Sequence, residues 1–149
     1  MKQIFEMLLS VLLEGVLAYI AAIDTLKNKI TNRSLILLGV VGIAATYHFP
    51  ISITKRLWGG VINSGALFLI NLIRPGAFGG GDVKLLAIAG FLLGIRGGVL
   101  ALCAAFLSGG VVSVLLLVTG KKRRTDSMAF GPYICFGICI FFVNSSGMP

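Results

Sequence analysis

The sequence predicts an all-α integral membrane protein: one membrane-embedded domain, a bundle of about six transmembrane helices with both termini outside. Three observations carry this expectation. Only 12% of the 149 residues are charged and 57% are hydrophobic, where a soluble domain is about a quarter charged. The mean hydropathy is +1.00, and the apolar residues fall in runs near the ~20 needed to cross a bilayer core. The basic residues sit in short loops between those runs and are unevenly divided between the two sides.

Residues 4–23 form the first expected span. The run resembles a signal peptide, but Asp24 and a basic loop follow it rather than a small-residue cleavage site, so it reads as a retained helix. Residues 34–49 and 57–73 form the second and third spans. Residues 83–95 form a fourth that needs its flanks to cross, 99–118 a fifth, and 128–143 a short sixth. Residues 1–3 and 144–149 are polar or irregular ends. Ala101, Ala105 and Gly109, and likewise Gly60 and Ser64, recur at four-residue spacing, which lets membrane helices pack closely.

Alternating the loops puts Lys27, Lys29, Arg33, Arg74, Lys84, Lys121, Lys122, Arg123 and Arg124 on one side. Lys2, Lys55, Arg56 and Arg96 fall on the other. The richer side is cytoplasmic by the positive-inside tendency, and Asp24 and Asp82 then both lie at the cytoplasmic membrane edge. The net charge of +8 is explained by membrane lipid headgroups. Nucleic acid is not expected as a partner, since no basic surface interleaved with aromatics is visible. Cys103, Cys135 and Cys139 lie inside apolar runs. Cys135 and Cys139 are one helical turn apart without a second pair to complete a zinc site, so they read as buried small side chains. No metal or cofactor is expected.

The chain has five acids. Asp82 ends the glycine-dense stretch Gly76-Ala77-Phe78-Gly79-Gly80-Gly81 and is followed by Val83-Lys84; Asp24 closes the first apolar run. An acid at a membrane-embedded segment is costly and marks a functional site by default. Two carboxylates brought together share a proton. The ionised member can take a proton from water, and the protonated one can polarise a peptide carbonyl and later help the amine leave. The residues alone leave other readings open. Asp24 can pair with Lys27, three residues on. Asp82 can act as a helix N-cap. A phosphate-cradling turn is disfavoured by the acid at its end. Glu14 lies mid-span and too deep to join the pair, Glu6 and Asp126 read as surface acids, and His48 reads as interfacial.

Gly79-Gly80-Gly81-Asp82-Val83-Lys84-Leu85-Leu86 matches the G-x-G-D signature of the type IV prepilin peptidase family. Asp24 with Ile30-Thr31-Asn32 resembles that family's first aspartate and the Ile-Pro-Asn after it, and Ala129-Phe130-Gly131-Pro132 resembles its Phe-Gly-Pro. The motifs occur in the family's order across nearly the whole chain. The resemblance implies an aspartyl endopeptidase that removes the short basic leader from prepilin, pseudopilin or archaellin precursors at the cytoplasmic face of the cell membrane. Asp24 and Asp82 are the implied catalytic pair. Gly79, Gly80 and Gly81 shape the turn, and Asn32 and Lys84 support or position substrate. Thr31 stands where proline is common, which implies a less rigid loop after Asp24. Bifunctional members carry a methyltransferase domain with paired C-x-x-C motifs. No C-x-x-C exists here, so the stand-alone peptidase form is expected and product methylation is not. Presenilin-like proteases share G-x-G-D, but Ile23 precedes Asp24 where they have tyrosine, and their Pro-Ala-Leu is absent. A non-enzymatic transporter subunit or pilus-assembly scaffold is the alternative from another class.

Overall fold

The structure is a computed structural model that describes residues 2–47, 50–120 and 129–146. His48, Asp126, the basic run at 121–124 and the expected start of the last segment at Met128 lie outside those residues, as does the side chain of Glu6. Five helices follow one another: α1 Lys2–Lys27, α2 Asn32–Thr46, α3 Ile53–Ile73, α4 Gly80–Val118 and α5 Gly131–Ser146. Met7–Lys27, Ile53–Ile73 and Gly80–Val118 are long and apolar enough to cross a membrane, while Asn32–Thr46 and Gly131–Val143 are shorter apolar helices.

α1 runs a turn further than its apolar pattern suggests. It stops where Asn28 turns left-handed (φ 47°) and its N–H bonds the Asp24 carbonyl at 2.7 Å, a common helix ending. Asp24 therefore sits in the last turn of α1, not beyond it. At the other end of the chain, α5 continues through 144–146, which the sequence had placed in an irregular tail.

The largest departure is in α4. A straight helix of its 39 residues would be roughly 58 Å long, nearly twice a ~30 Å hydrocarbon core. It is not straight: Gly94 has φ 71° and ψ −174°, a region open essentially to glycine alone. Past Gly94 the chain doubles back. A Cβ on Gly98 would lie 2.9 Å from the Gly90 Cα, although a straight helix separates such residues by about 12 Å. The two segments expected at 83–95 and 99–118 are thus the arms of one element bent at Gly94, with Arg96, Gly97 and Gly98 helical rather than in a loop.

α3 packs into this bend. A Cβ on Gly59 would collide with the Gly90 carbonyl, and one on Gly60 would meet Ala87 O at 3.1 Å, so main chain touches main chain as small residues permit in membrane bundles. α5 lies on the second arm, with Gly137 against the main chain of Ala101. Leu13, Leu17, Ile20, Leu38, Leu67, Leu85, Leu86, Ile134, Ile138 and Phe142 fill the centre. Ala101, Ala105 and Gly109 are buried on the inner face, whereas Leu8, Val61, Phe68, Leu107 and Val114 point outward, an apolar exterior suited to lipid.

The end of the bundle reached by α2 and the first arm of α4 is held by Arg56. Its guanidinium donates to Thr46 O at 2.7 Å, Thr46 Oγ1 at 3.0 Å and Leu92 O at 3.1 Å. Carbonyls at both helix ends, which lack intrahelical donors, are satisfied by one side chain. The opposite end, where α1 stops and α4 begins, carries the aspartates.

Candidate active site

Asp82 is the third residue of α4. The N-cap is Gly79, whose N–H donates to Asp82 Oδ2 at 3.1 Å. That bond is the returning half of a capping box, so Asp82 is not the N-cap considered as an alternative. Its Oδ1 is buried with no protein partner. Asp24 meets the same kind of donor from a different helix: the N–H of Gly131, first residue of α5, donates to Asp24 Oδ2 at 3.0 Å. Lys27, the partner considered for Asp24, is exposed, and the bond described for Asp24 goes to Gly131. Each carboxylate is therefore held through one oxygen by a glycine main-chain N–H at a helix N-terminus, where the helix dipole favours negative charge.

Both acids line one cavity of about 830 Å³, although only 4% and 7% of Asp24 and Asp82 is exposed. Asp24 lies near enough to act on Asp82 through its charge. Arg74 and Asn28 line the same cavity, and Gly110 and Ser113 contribute from the second arm of α4. Its apolar wall is aromatic. Phe78 packs edge-on against Phe130, with ring centres 4.9 Å apart, and against Phe106 at 5.9 Å; Tyr133 stands beside Phe130 at 6.2 Å. Such edge-to-face arrangements are the favoured aromatic geometry.

The other expected site residues divide. None of Gly79, Gly80 and Gly81 has a positive φ; the left-handed residue of the turn is Gly76 (φ 83°). Gly81 is needed for a close approach instead, since a Cβ there would lie 2.8 Å from the Ile30 Cβ, whereas Gly80 has open space. The turn-shaping role expected of the triple glycine thus narrows to a contact at Gly81 and a donor at Gly79. Lys84 and Asn32 do meet: Lys84 Nζ donates to Asn32 Oδ1 at 3.2 Å on the exposed surface, tying the start of α2 to α4. Neither lines the cavity. Glu14 is half-buried on α1, away from the cavity. Among the described residues no three His, Cys, Asp or Glu side chains gather as a metal site.

Two contributions escape sequence reasoning. The Gly131 N–H was signalled only by the Phe-Gly-Pro resemblance, which names the residue without its partner. Asn71, which bonds the main chain of Phe78, carried no signal. Taken as a whole, the arrangement offers two oriented carboxyl groups at one aromatic-walled cavity, the ingredients of general acid and base catalysis.

The model of the type IV leader peptidase family matches residues 11–114, a stretch that contains both aspartates. A prepilin leader peptidase/N-methyltransferase of Bacillus subtilis is 28% identical over 142 residues, which is 93% of this chain and 56% of that relative. The chain thus spans little more than half the length of the curated relative. No solved structure matches. With a family match over most of its length and two buried aspartates at one cavity, the chain belongs to the type IV leader peptidase family.

Proposed function

We propose that the protein is an aspartyl endopeptidase that removes the short basic leader from prepilin-like precursors at the cytoplasmic face of the membrane. The single observation that carries this reading is the pair Asp24 and Asp82, buried at one cavity and each held through Oδ2 by a main-chain N–H. Family membership supports proteolysis, and the relative's name supports prepilins as substrates.

The two carboxyl groups share one proton in this mechanism. The ionised member takes a proton from a water molecule, and the resulting hydroxide adds to the scissile carbonyl. The protonated member donates to that carbonyl oxygen. Collapse of the tetrahedral intermediate then breaks the C–N bond, the amine leaving with a proton from the pair. The glycine N–H groups keep each carboxylate aimed without spending substrate binding energy on orientation. In this reading the chain crosses the membrane six times, the two arms of α4 counting separately, with Asp24 and Asp82 on the cytoplasmic side and both termini outside; the bend at Gly94 and the basic residues Lys27, Lys29, Arg33 and Lys84 near that end support it.

Co-expression with a prepilin-like precursor tests the reading. Asp24→Asn and Asp82→Asn should each leave the precursor at full size on a gel while the variant stays in the membrane fraction. A shortened precursor with either variant rules out the pair.

A further inference from the structure

Asn71 lies near the end of α3, seven residues before Phe78, and both ends of its amide are used. Its Nδ2 donates to Phe78 O at 2.9 Å, and its Oδ1 accepts from Phe78 N at 2.8 Å. The partners fix which end is which, since a main-chain carbonyl only accepts and a main-chain N–H only donates. The carbonyl that Asn71 grips belongs to the peptide group whose other end is the Gly79 N–H, and that N–H donates to Asp82 Oδ2. A peptide group is planar and rigid. Holding its oxygen therefore sets the direction of its N–H, and a hydrogen bond at the oxygen strengthens the bond made by the N–H. Elsewhere in the turn Gly76 is left-handed and the Phe78 ring packs against Phe106 and Phe130; the bond described for the Phe78 carbonyl comes from Asn71.

Resting on the peptidase reading above, we infer that Asn71 is a positioning residue for leader cleavage, aiming the Phe78–Gly79 peptide N–H at Asp82 so that Asp82 presents its other oxygen to the reacting bond. Asn71 does not touch substrate; it acts through one peptide group. Its loss shows in turnover more than in substrate binding.

The experiment uses the purified full chain in lipid vesicles, cleaving a synthetic precursor peptide. Four variants are compared: Asn71→Asp, Asn71→Leu, Asp24→Asn and Asp82→Asn. Asn71→Asp keeps the size and the acceptor for Phe78 N–H, but its carboxylate has no proton to give Phe78 O. Both Asn71 variants should lower kcat on the order of tenfold, the size of one lost hydrogen bond at a reacting group, with KM within about twofold of the parent. Asn71→Asp should lose far less folded protein than kcat. Parental kcat in Asn71→Asp, or a kcat loss matched by loss of folded protein, overturns the inference. If Asp24→Asn and Asp82→Asn are inactive while Asn71→Asp cleaves normally, only Asn71 loses its role. If either aspartate variant cleaves normally, the peptidase pair fails and this inference fails with it.

Discussion

Gly131 illustrates how much at the site depends on atoms rather than residue types. Its N–H holds Asp24, and a Cβ there would sit 2.5 Å from Asp24 Oδ2 and 3.0 Å from Cγ. Gly131→Ala must either push the carboxylate away or move the start of α5. We expect leader cleavage to fall on the order of tenfold or more, since misplacing a reacting group by about 1 Å is that costly, with the variant still folded by circular dichroism. An unchanged cleavage rate would show that the Gly131 bond does not orient Asp24. The aspartates were legible in the sequence because acids are so scarce in this chain and a glycine-rich turn leads into one of them. Their donors were not. A main-chain N–H carries no identity in a sequence, and which N–H meets Asp24 depends on how α5 lies against α1. Asn71 was hidden for the same reason, its partner being main chain.

At the scale of helices, most apolar runs were legible, and the boundaries moved where polar caps decided them, as at Asn28. The bend in α4 was not legible. Arg96 and two glycines at 96–98 look like a loop, yet the residue that turns is Gly94, inside what reads as an apolar run. The reversal at Gly94 goes with close main-chain approaches of Gly59 and Gly98 to Gly90, contacts between residues far apart or on opposite arms that a single-sequence pattern does not display. Arg56 behaved similarly. Counted as a loop charge, it lies instead in the first turn of α3 and satisfies carbonyls on α2 and α4. Arg56→Leu leaves Thr46 O and Leu92 O without that donor, which costs about 1–3 kcal/mol for each such buried group. The variant should melt at a lower temperature in detergent while its residual folded fraction still cleaves precursor, because Arg56 is at the end away from the aspartates. An unaltered melting temperature would remove its role as a clasp.

For the molecule as a whole, the proposed orientation follows from charge and from the reversal at Gly94. Lys29 and Lys84 belong to the end that carries the aspartates, and Lys55 to the end held by Arg56; all three are exposed. With Cys103, the exposed native thiol, replaced, single cysteines at these positions should react with a membrane-impermeant maleimide from opposite sides: Lys29→Cys and Lys84→Cys in inverted vesicles, Lys55→Cys in right-side-out ones. Labelling of all three from one side contradicts six crossings. The central claim is that Asp24 and Asp82 work as a unit across one cavity, and groups acting as a unit are strongly non-additive when removed. The most direct measurement is the cleavage rate of a precursor peptide by the reconstituted protein carrying Asp24→Asn, Asp82→Asn or both. Each single variant should fall to the background rate and the double variant should fall no further, whereas substantial cleavage by either single variant, or losses that multiply in the double, would contradict a shared-proton pair.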